Sequence, residues 1–355
     1  MKRLLRNPEY LLLLIAIMSA LFLIAFARNA KNGQISPYAA QQAAAERLAQ
    51  QCFDQIKVQK IARGLYNSAT DIYANGWMLG DDFTEITTTL GSLEAKRISL
   101  NPKFADLVVT WLHEAGIAQG DTIGLIVSGS FPGLAISTLT AAQTMHVNVV
   151  LLSSLGASTF GANQPLATWV DMESWLNAAG LLNFKSAVVT PGAENDNGGG
   201  LMEEGIGALR EAARRNGVNL YEPENIDESI AYKTNFLLSQ KIILLINIGG
   251  NQAALGYCAH AAGLPNGLLT EPLTCDHAER GIMARLSERH IPFINFLNIK
   301  KLAVRYGLDV DPGNKFRNDR PALHYNNSGK LLPALAVLLI IGLVFIYSNT
   351  YNKDR

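Results

Sequence analysis

Residues 122–152 read TIGLIVSGSFPGLAISTLTAAQTMHVNVVLL, two short apolar runs separated by a segment of helical length. The runs, at 122–127 and 147–152, are continuous and rich in Ile, Val and Leu, which is typical of strands buried on both faces of a sheet. Pro132 stands where a helix would begin, and proline is favoured at the first helical position. The stretch therefore predicts a strand–helix–strand unit with parallel strands.

The same alternation continues on both sides of this unit. Further apolar runs predict strands at 186–189, 242–246 and 291–296. Helical spacing predicts helices at 103–115, 169–179, 200–215, 226–239, 252–262 and 276–289. The sequence thus predicts an α/β fold, a Rossmann-like and mostly parallel sheet with helices on both faces, over residues 103–307. The order of the strands is left open.

The two ends of the chain differ in kind from this middle part. Residues 10–26 (YLLLLIAIMSALFLIAF) and 331–347 (LLPALAVLLIIGLVFIY) carry no charge. With mild flanks each is long enough to cross a bilayer, so transmembrane helices are predicted at 10–27 and 331–349. Ala25-Phe26-Ala27 resembles a signal-peptide cleavage site, which leaves a cleaved first helix as the alternative.

The flanking charges and the polar stretches complete this domain plan. Lys2, Arg3 and Arg6 precede the first apolar run, which favours cytoplasmic tails at 1–9 and 350–355. The prediction is a protein of the bacterial inner (cytoplasmic) membrane with its main domain extracytoplasmic. The remaining parts are a helical and irregular lead-in at 28–102, with a long helix from Ser36-Pro37 to about residue 65, and a polar tether at 308–330.

Charge and cysteine content exclude some functions. The chain has 30 Lys and Arg against 30 Asp and Glu, for a net charge of zero, and the basic residues are scattered. This argues against a surface that follows nucleic-acid phosphates, so no nucleic-acid partner is predicted. Cys52, Cys258 and Cys275 fit no metal-ligand spacing. Either Cys258 pairs with Cys275 and Cys52 is buried, or all three are buried thiols.

Four of the predicted strands end in turns rich in Gly, Ser and Asn. In a parallel sheet these turns lie at one edge, where ligands bind near the point at which the strand order reverses. Glycine allows close backbone approach, and the helices that follow favour an anion. Lys96 and Arg97 of the lead-in are predicted as a cationic wall, with surface salt bridges as the alternative. The predicted ligand-binding residues are Ser128, Gly129, Ser130, Gly133, Ser153, Ser154, Thr159, Asn163, Asn247, Gly249, Gly250, Asn251, Lys96 and Arg97.

Familiar catalytic motifs are missing. The first turn has neither GxGxxG nor a Walker A lysine, and its GSFPG differs from the GxSxG of a nucleophile elbow. The histidines show no HxH or HExxH spacing, so no metal site and no cofactor are predicted. The catalytic candidates are Ser130, Glu194, Asp196 and His277, and a divalent cation at Glu194 and Asp196 is left open. The alternatives are a helix-capping Ser130 and a solvated loop around the two carboxylates.

Four segments carry a resemblance to a known family: TTTLGSLEAKR, VSGSFPGLAI, SSLGASTFGAN and NIGGNQAALG. Together with the two apolar ends, they resemble the poly-gamma-glutamate system proteins over about residues 85–325. The resemblance implies a protein that works beside a membrane-bound amide ligase and its small membrane partner, which together make or export a γ-linked glutamate polymer. It implies no particular catalytic residues.

Three functions therefore compete. The first is a membrane-anchored component that binds or processes the polymer through an anion-favouring pocket. The second is an enzyme that hydrolyses or transfers the γ-glutamyl amide. The third is an anchored sensor of a small anion.

Overall fold

The computed structural model describes residues 36–66, 78–257, 264–273 and 280–310, together with residue 19. The chain divides into two units, residues 1–37 with 321–355 and residues 38–320, and every element below lies in the second. Its helices are α1 Ala39–Ala62, α2 Leu93–Ile98, α3 Phe104–Glu114, α4 Pro132–Thr144, α5 Trp169–Ala178, α6 Glu203–Arg215, α7 Ile226–Ser239, α8 Gln252–Leu255, α9 Ile282–Ser287 and α10 Ile299–Tyr306. Its strands are β1 Thr122–Ser128, β2 Asn148–Ser154, β3 Ser186–Thr190, β4 Leu245–Ile248, β5 Gly267–Leu269 and β6 Phe293–Phe296.

The six strands form one sheet in the order β3-β2-β1-β4-β6-β5. The first five are parallel neighbours, with Thr122 beside Asn148 and Gly124 beside Leu245. β5 pairs antiparallel with β6 at the edge, so the sheet is mixed. The order reverses between β1 and β4, because β1 is followed by β2 on one side and β4 lies on the other.

Helices cover both faces of the sheet. On one face Phe293 of β6 belongs to a core cluster with residues of α7, α8 and α9, such as Ile230 and Met283. Phe296, three residues later, faces the other way and lies 5.3 Å, centroid to centroid, from Trp111 of α3. α1, α3 and α4 pack against one another. The long helix of the lead-in is therefore part of the domain.

The predicted fold class must be corrected. The structure is an α/β fold with a mixed sheet of six strands, and the transmembrane helices that the prediction placed at both ends are not supported. No helix formed by the described residues is long and apolar enough to cross a membrane. α1 has the length but carries charged residues, among them Glu46, Arg47 and Asp54, throughout. Apart from residue 19, the two apolar runs, 10–27 and 331–349, lie outside the described residues.

Candidate functional site

A cavity of about 620 Å³ opens at the carboxyl edge of the sheet, beside the β1–β4 switch point. The turns after β1, β2, β3 and β4 all contribute to its wall, and so does segment 88–91 of the lead-in. The residues that line it are Thr88, Thr89, Leu90, Gly91, Ser128, Ser130, Phe131, Ser154, Gly156, Ser158, Gly192, Ala193, Glu194, Gly199, Gly200, Gly250, Asn251 and Gln252.

Lys96 lies directly behind this wall. It sits in the last turn of α2, which begins at the N-cap Ser92, and is only 2% exposed. Its Nζ donates to Ser158 Oγ at 2.7 Å and to the carbonyl oxygen of Ser130, and lies 4.1 Å from the centroid of the Phe131 ring. Burial lowers the pKa of Lys96 to about 7, because the charged ammonium loses its hydration there.

The turns after β1 and β2 are tied together around Ser130. Its hydroxyl accepts the backbone N–H of Ser158 at 3.0 Å, and its own N–H donates to Ser128 Oγ at 3.4 Å. Ser130 does not cap α4, whose N-cap is Phe131 with no side-chain hydrogen bond. Position 129 requires glycine because the backbone of the turn after β2 approaches it closely. A Cβ there would lie 2.8 Å from the carbonyl oxygen of Leu155.

Gly91 brings the lead-in against the same wall. Its N–H donates to Thr159 Oγ1 at 2.7 Å. A Cβ on Gly91 would lie 3.0 Å from both Lys96 Cε and Ser158 Oγ. Thr159, predicted as a ligand residue, thus holds this segment in place and does not line the cavity.

Asp196 lies behind the wall in a buried polar cluster. The carboxylate is 1% exposed and pairs with Lys233, which is fully buried. It also accepts hydrogen bonds from Thr190 Oγ1 at 2.9 Å, from Ser154 Oγ at 3.1 Å and from the hydroxyl of Ser229. With both oxygens engaged in this way, Asp196 is suited to holding the loop.

The loop that carries Asp196 has an unusual backbone. Ala193, Asn195 and Asp196 all have left-handed φ values, of 63°, 56° and 59°. Such conformations persist only where surrounding contacts fix them. Gln252 supplies one such contact, since its Oε1 accepts a hydrogen bond from the backbone N–H of Asn195 at 2.8 Å. Glu194 lies between them, exposed and on the cavity lining.

Metal binding gains no support from this geometry. Asp196 is paired with Lys233 and is absent from the lining, and Glu194 is the one carboxylate among the described residues that line the cavity. Among the described residues, no three His, Cys, Asp or Glu side chains form a group that would hold an ion. Cys52 is buried, and burial raises the pKa of its thiol to about 12. Cys258, Cys275 and the candidate His277 lie outside the described residues.

The predicted ligand residues fall into two groups. Six residues named from the sequence, counting the candidate Glu194, line the cavity: Ser128, Ser130, Ser154, Glu194, Gly250 and Asn251. Others make internal contacts: Asn163 holds Asp81 and Thr87, Ser153 bonds Ser186, and Asn247 bonds Asn295. Gly133, Gly249 and Arg97 are also absent from the lining.

Ser158, Phe131, Gln252, Lys233 and segment 88–91 were missed. Ser153, Ser154, Thr159 and Asn163 of SSLGASTFGAN were predicted as ligand residues, but nothing in the sequence pointed to Ser158 of the same segment. Lys233 did carry a signal, because it falls at helical spacing with Ile226, Ile230 and Leu237, on the buried face of α7.

No family model, no curated protein and no solved structure matches this chain.

Proposed function

We propose that the cavity at the carboxyl edge binds a short segment of a γ-linked glutamate chain. One observation carries the proposal: hydroxyl groups from two separate segments, Thr88 of the lead-in and Ser128 and Ser130 of the turn after β1, line one cavity at the switch point of the sheet. Such convergent donors on a concave surface are what binding of carboxylate and amide oxygens requires.

Ser130 is placed to donate a hydrogen bond to a ligand in the cavity. Its oxygen accepts the N–H of Ser158, and no acceptor for its own hydroxyl hydrogen is present in the described part of the chain. The hydrogen is therefore available to a ligand. Ser130 also directly precedes Phe131, the N-cap of the 13-residue helix α4, whose dipole places partial positive charge near this end.

The size and charge of the domain favour a short segment over a long track. A cavity of about 620 Å³ falls within the range of small-molecule sites. The chain has no net charge, so long-range attraction of a polyanion is weak. We expect recognition of one end or a few units of the polymer, and the amide ligase implied by the resemblance stays the proposed partner.

Calorimetric titration of the full chain with defined γ-linked glutamate oligomers tests the proposal. Affinity should rise over the first few units and then level off. Ser130→Ala should weaken binding about 10-fold, since a hydrogen bond to a charged group contributes about 1.5 kcal/mol or more. Ser239→Ala, on an exposed serine of α7, is the matched control and should bind like the wild type.

Three results would count against polymer binding. One is the absence of measurable binding by any γ-linked oligomer. Another is equal affinity for α-linked glutamate oligomers of the same length. The third is a strong response to inorganic phosphate alone, which would favour a sensor of small anions.

A further inference from the structure

The contact between Lys96 and Ser158 has the geometry of a base with its nucleophile. The Nζ–Oγ distance of 2.7 Å is within the reach needed for direct proton transfer. Ser158 is on the cavity lining, whereas Lys96 is behind it and shielded. A ligand in the cavity would therefore meet the hydroxyl first, with the amine on its far side.

Lys96 differs from the other buried lysines of the described chain. Lys233 is paired with Asp196, and Lys60, which donates to the Leu79 carbonyl oxygen at 2.7 Å, has the charge of Asp81 nearby. Lys96 has no ion-pair partner within the described residues, and only burial acts on its pKa, which falls to about 7. A substantial fraction of neutral amine is thus present near neutral pH, as a general base requires.

We propose that Ser158 and Lys96 form a serine–lysine catalytic pair that cleaves the amide bond of an acyl substrate held in the cavity. The inference rests on the proposed function for its substrate class, the γ-linked glutamyl amide. The pairing itself rests only on the contact geometry and on the isolation of the buried amine.

The chemistry follows the acyl-transfer pattern of an activated serine. Neutral Lys96 Nζ takes the proton of the Ser158 hydroxyl as Oγ bonds to the carbonyl carbon. The tetrahedral intermediate collapses, the C–N bond breaks, and the leaving nitrogen takes the proton from Lys96 and departs as an amine. Water then adds to the Ser158 ester while Lys96 accepts its proton. Cleavage of the C–O bond releases a carboxylic acid and returns the proton to Ser158.

Two residues beside the pair, Ser130 and Gly91, are consistent with a catalytic role for Ser158 and Lys96. The Ser130 hydroxyl touches the N–H of Ser158 and has its own hydrogen to donate, so it is placed to stabilise the negative oxygen of the intermediate. Gly91 keeps side-chain atoms away from the pair, because a Cβ there would come within 3.0 Å of both partners.

Labelling of the full chain with a fluorophosphonate tests the pair without a known substrate. Ser158 Oγ should displace fluoride, and peptide mass spectrometry should place the phosphonyl group on Ser158. The labelling rate should rise with pH to a plateau, with a midpoint near 7. Lys96→Met should lower the rate at least ~100-fold and abolish that pH profile. Lys301→Met, on the exposed side of α10, should leave both unchanged.

The wild-type chain provides the decisive result, because it needs no variant to fold. Absence of the phosphonyl group from Ser158, or a rate that Lys96→Met leaves unaltered in a folded chain, would overturn the pair. Circular dichroism and thermal unfolding of each variant establish that it is folded.

Chain-length analysis of γ-linked oligomers separates this inference from the proposed function. Cleavage by the wild type, lost in Ser158→Ala with binding retained, supports both. Binding without cleavage or labelling overturns the catalytic pair and leaves the binding proposal standing. Labelling of Ser158 without any binding of γ-linked oligomers overturns the proposed substrate and leaves the pair standing.

Discussion

Replacing Lys96 by Met should change how the stability of the chain depends on pH. The side chain is 2% exposed, and burial lowers its pKa from 10.5 to about 7. Below about pH 7 the lysine is charged in both folded and unfolded chains, and the folded state bears the full penalty of a desolvated charge. Above about pH 10.5 it is neutral in both, and that penalty is gone.

The magnitude follows from the same two pKa values. Between them the unfolded chain holds a proton that the folded chain has released, so the free energy of unfolding rises with pH. The expected slope is about 1.4 kcal/mol per pH unit, or roughly 5 kcal/mol over the whole window. Met at position 96 loses the hydrogen bonds to Ser158 and Ser130, but that loss does not vary with pH and shifts the curve without changing its slope.

Urea unfolding of the wild type, Lys96→Met and Lys301→Met from about pH 6 to about pH 9 measures the effect. Relative to Lys96→Met, the free energy of unfolding of the wild type should rise by roughly 2 kcal/mol between about pH 7 and about pH 9. Lys301 is exposed, so its replacement should follow the wild-type curve. Parallel curves for the wild type and Lys96→Met would refute the low pKa and remove the base from the proposed pair.

Three further substitutions test other parts of the structure. Asp196→Asn leaves Lys233 buried without its ion-pair partner and should lower the free energy of unfolding in urea by about 3–5 kcal/mol. Adding Lys233→Met to the same chain should restore part of that loss. A loss below about 1 kcal/mol would contradict a structural role for Asp196. Gly91→Ala places a Cβ 2.8 Å from the Thr159 carbonyl oxygen, so the free energy of unfolding should fall by about 1–3 kcal/mol. Much of the fluorophosphonate labelling should be lost as well. Unchanged labelling would contradict the assignment of Ser158 and Lys96 as a catalytic pair. Burial raises the pKa of Asp106 to about 8, so the free energy of unfolding of the wild type should fall as pH rises from about 4 to about 8. Asp106→Asn should remove that fall. If the wild type and Asp106→Asn show the same dependence on pH, the raised pKa of Asp106 is refuted.

Local sequence pattern was sufficient for most of the sheet. Four of the predicted runs, 122–127, 147–152, 186–189 and 291–296, overlap parallel strands, since buried strands are continuous and apolar. The last of these strands, β6, begins at Phe293, two residues later than predicted. β4 begins at Leu245, three residues later than predicted, because its register is set by pairing with Gly124–Val127 of β1. β5 was missed because three residues, Gly267–Leu269, carry no periodicity.

Only the part of the site that is formed by the turns at the strand ends could be predicted from the sequence. Parallel topology places the turns after β1, β2, β3 and β4 on one edge, and they do meet around one cavity. The approach of segment 88–91 depends on contacts 68 residues apart in sequence, such as Gly91 with Thr159, and on Lys96 reaching Ser158 across 62 residues. Nothing local in the sequence encodes such distances.

Two buried lysines at the same edge of the sheet show why burial alone does not identify a catalytic group. Lys233 pairs with Asp196 and donates a hydrogen bond to Thr190 Oγ1, so its charge is compensated. Within the described part of the chain, Lys96 contacts uncharged oxygens and an aromatic face and has no charged partner, so its proton is weakly held. Its hydroxyl partner Ser158 lies on the cavity wall. What separates a structural ammonium from a reactive amine here is the absence of a countercharge among the described residues together with a neighbour that a ligand can reach.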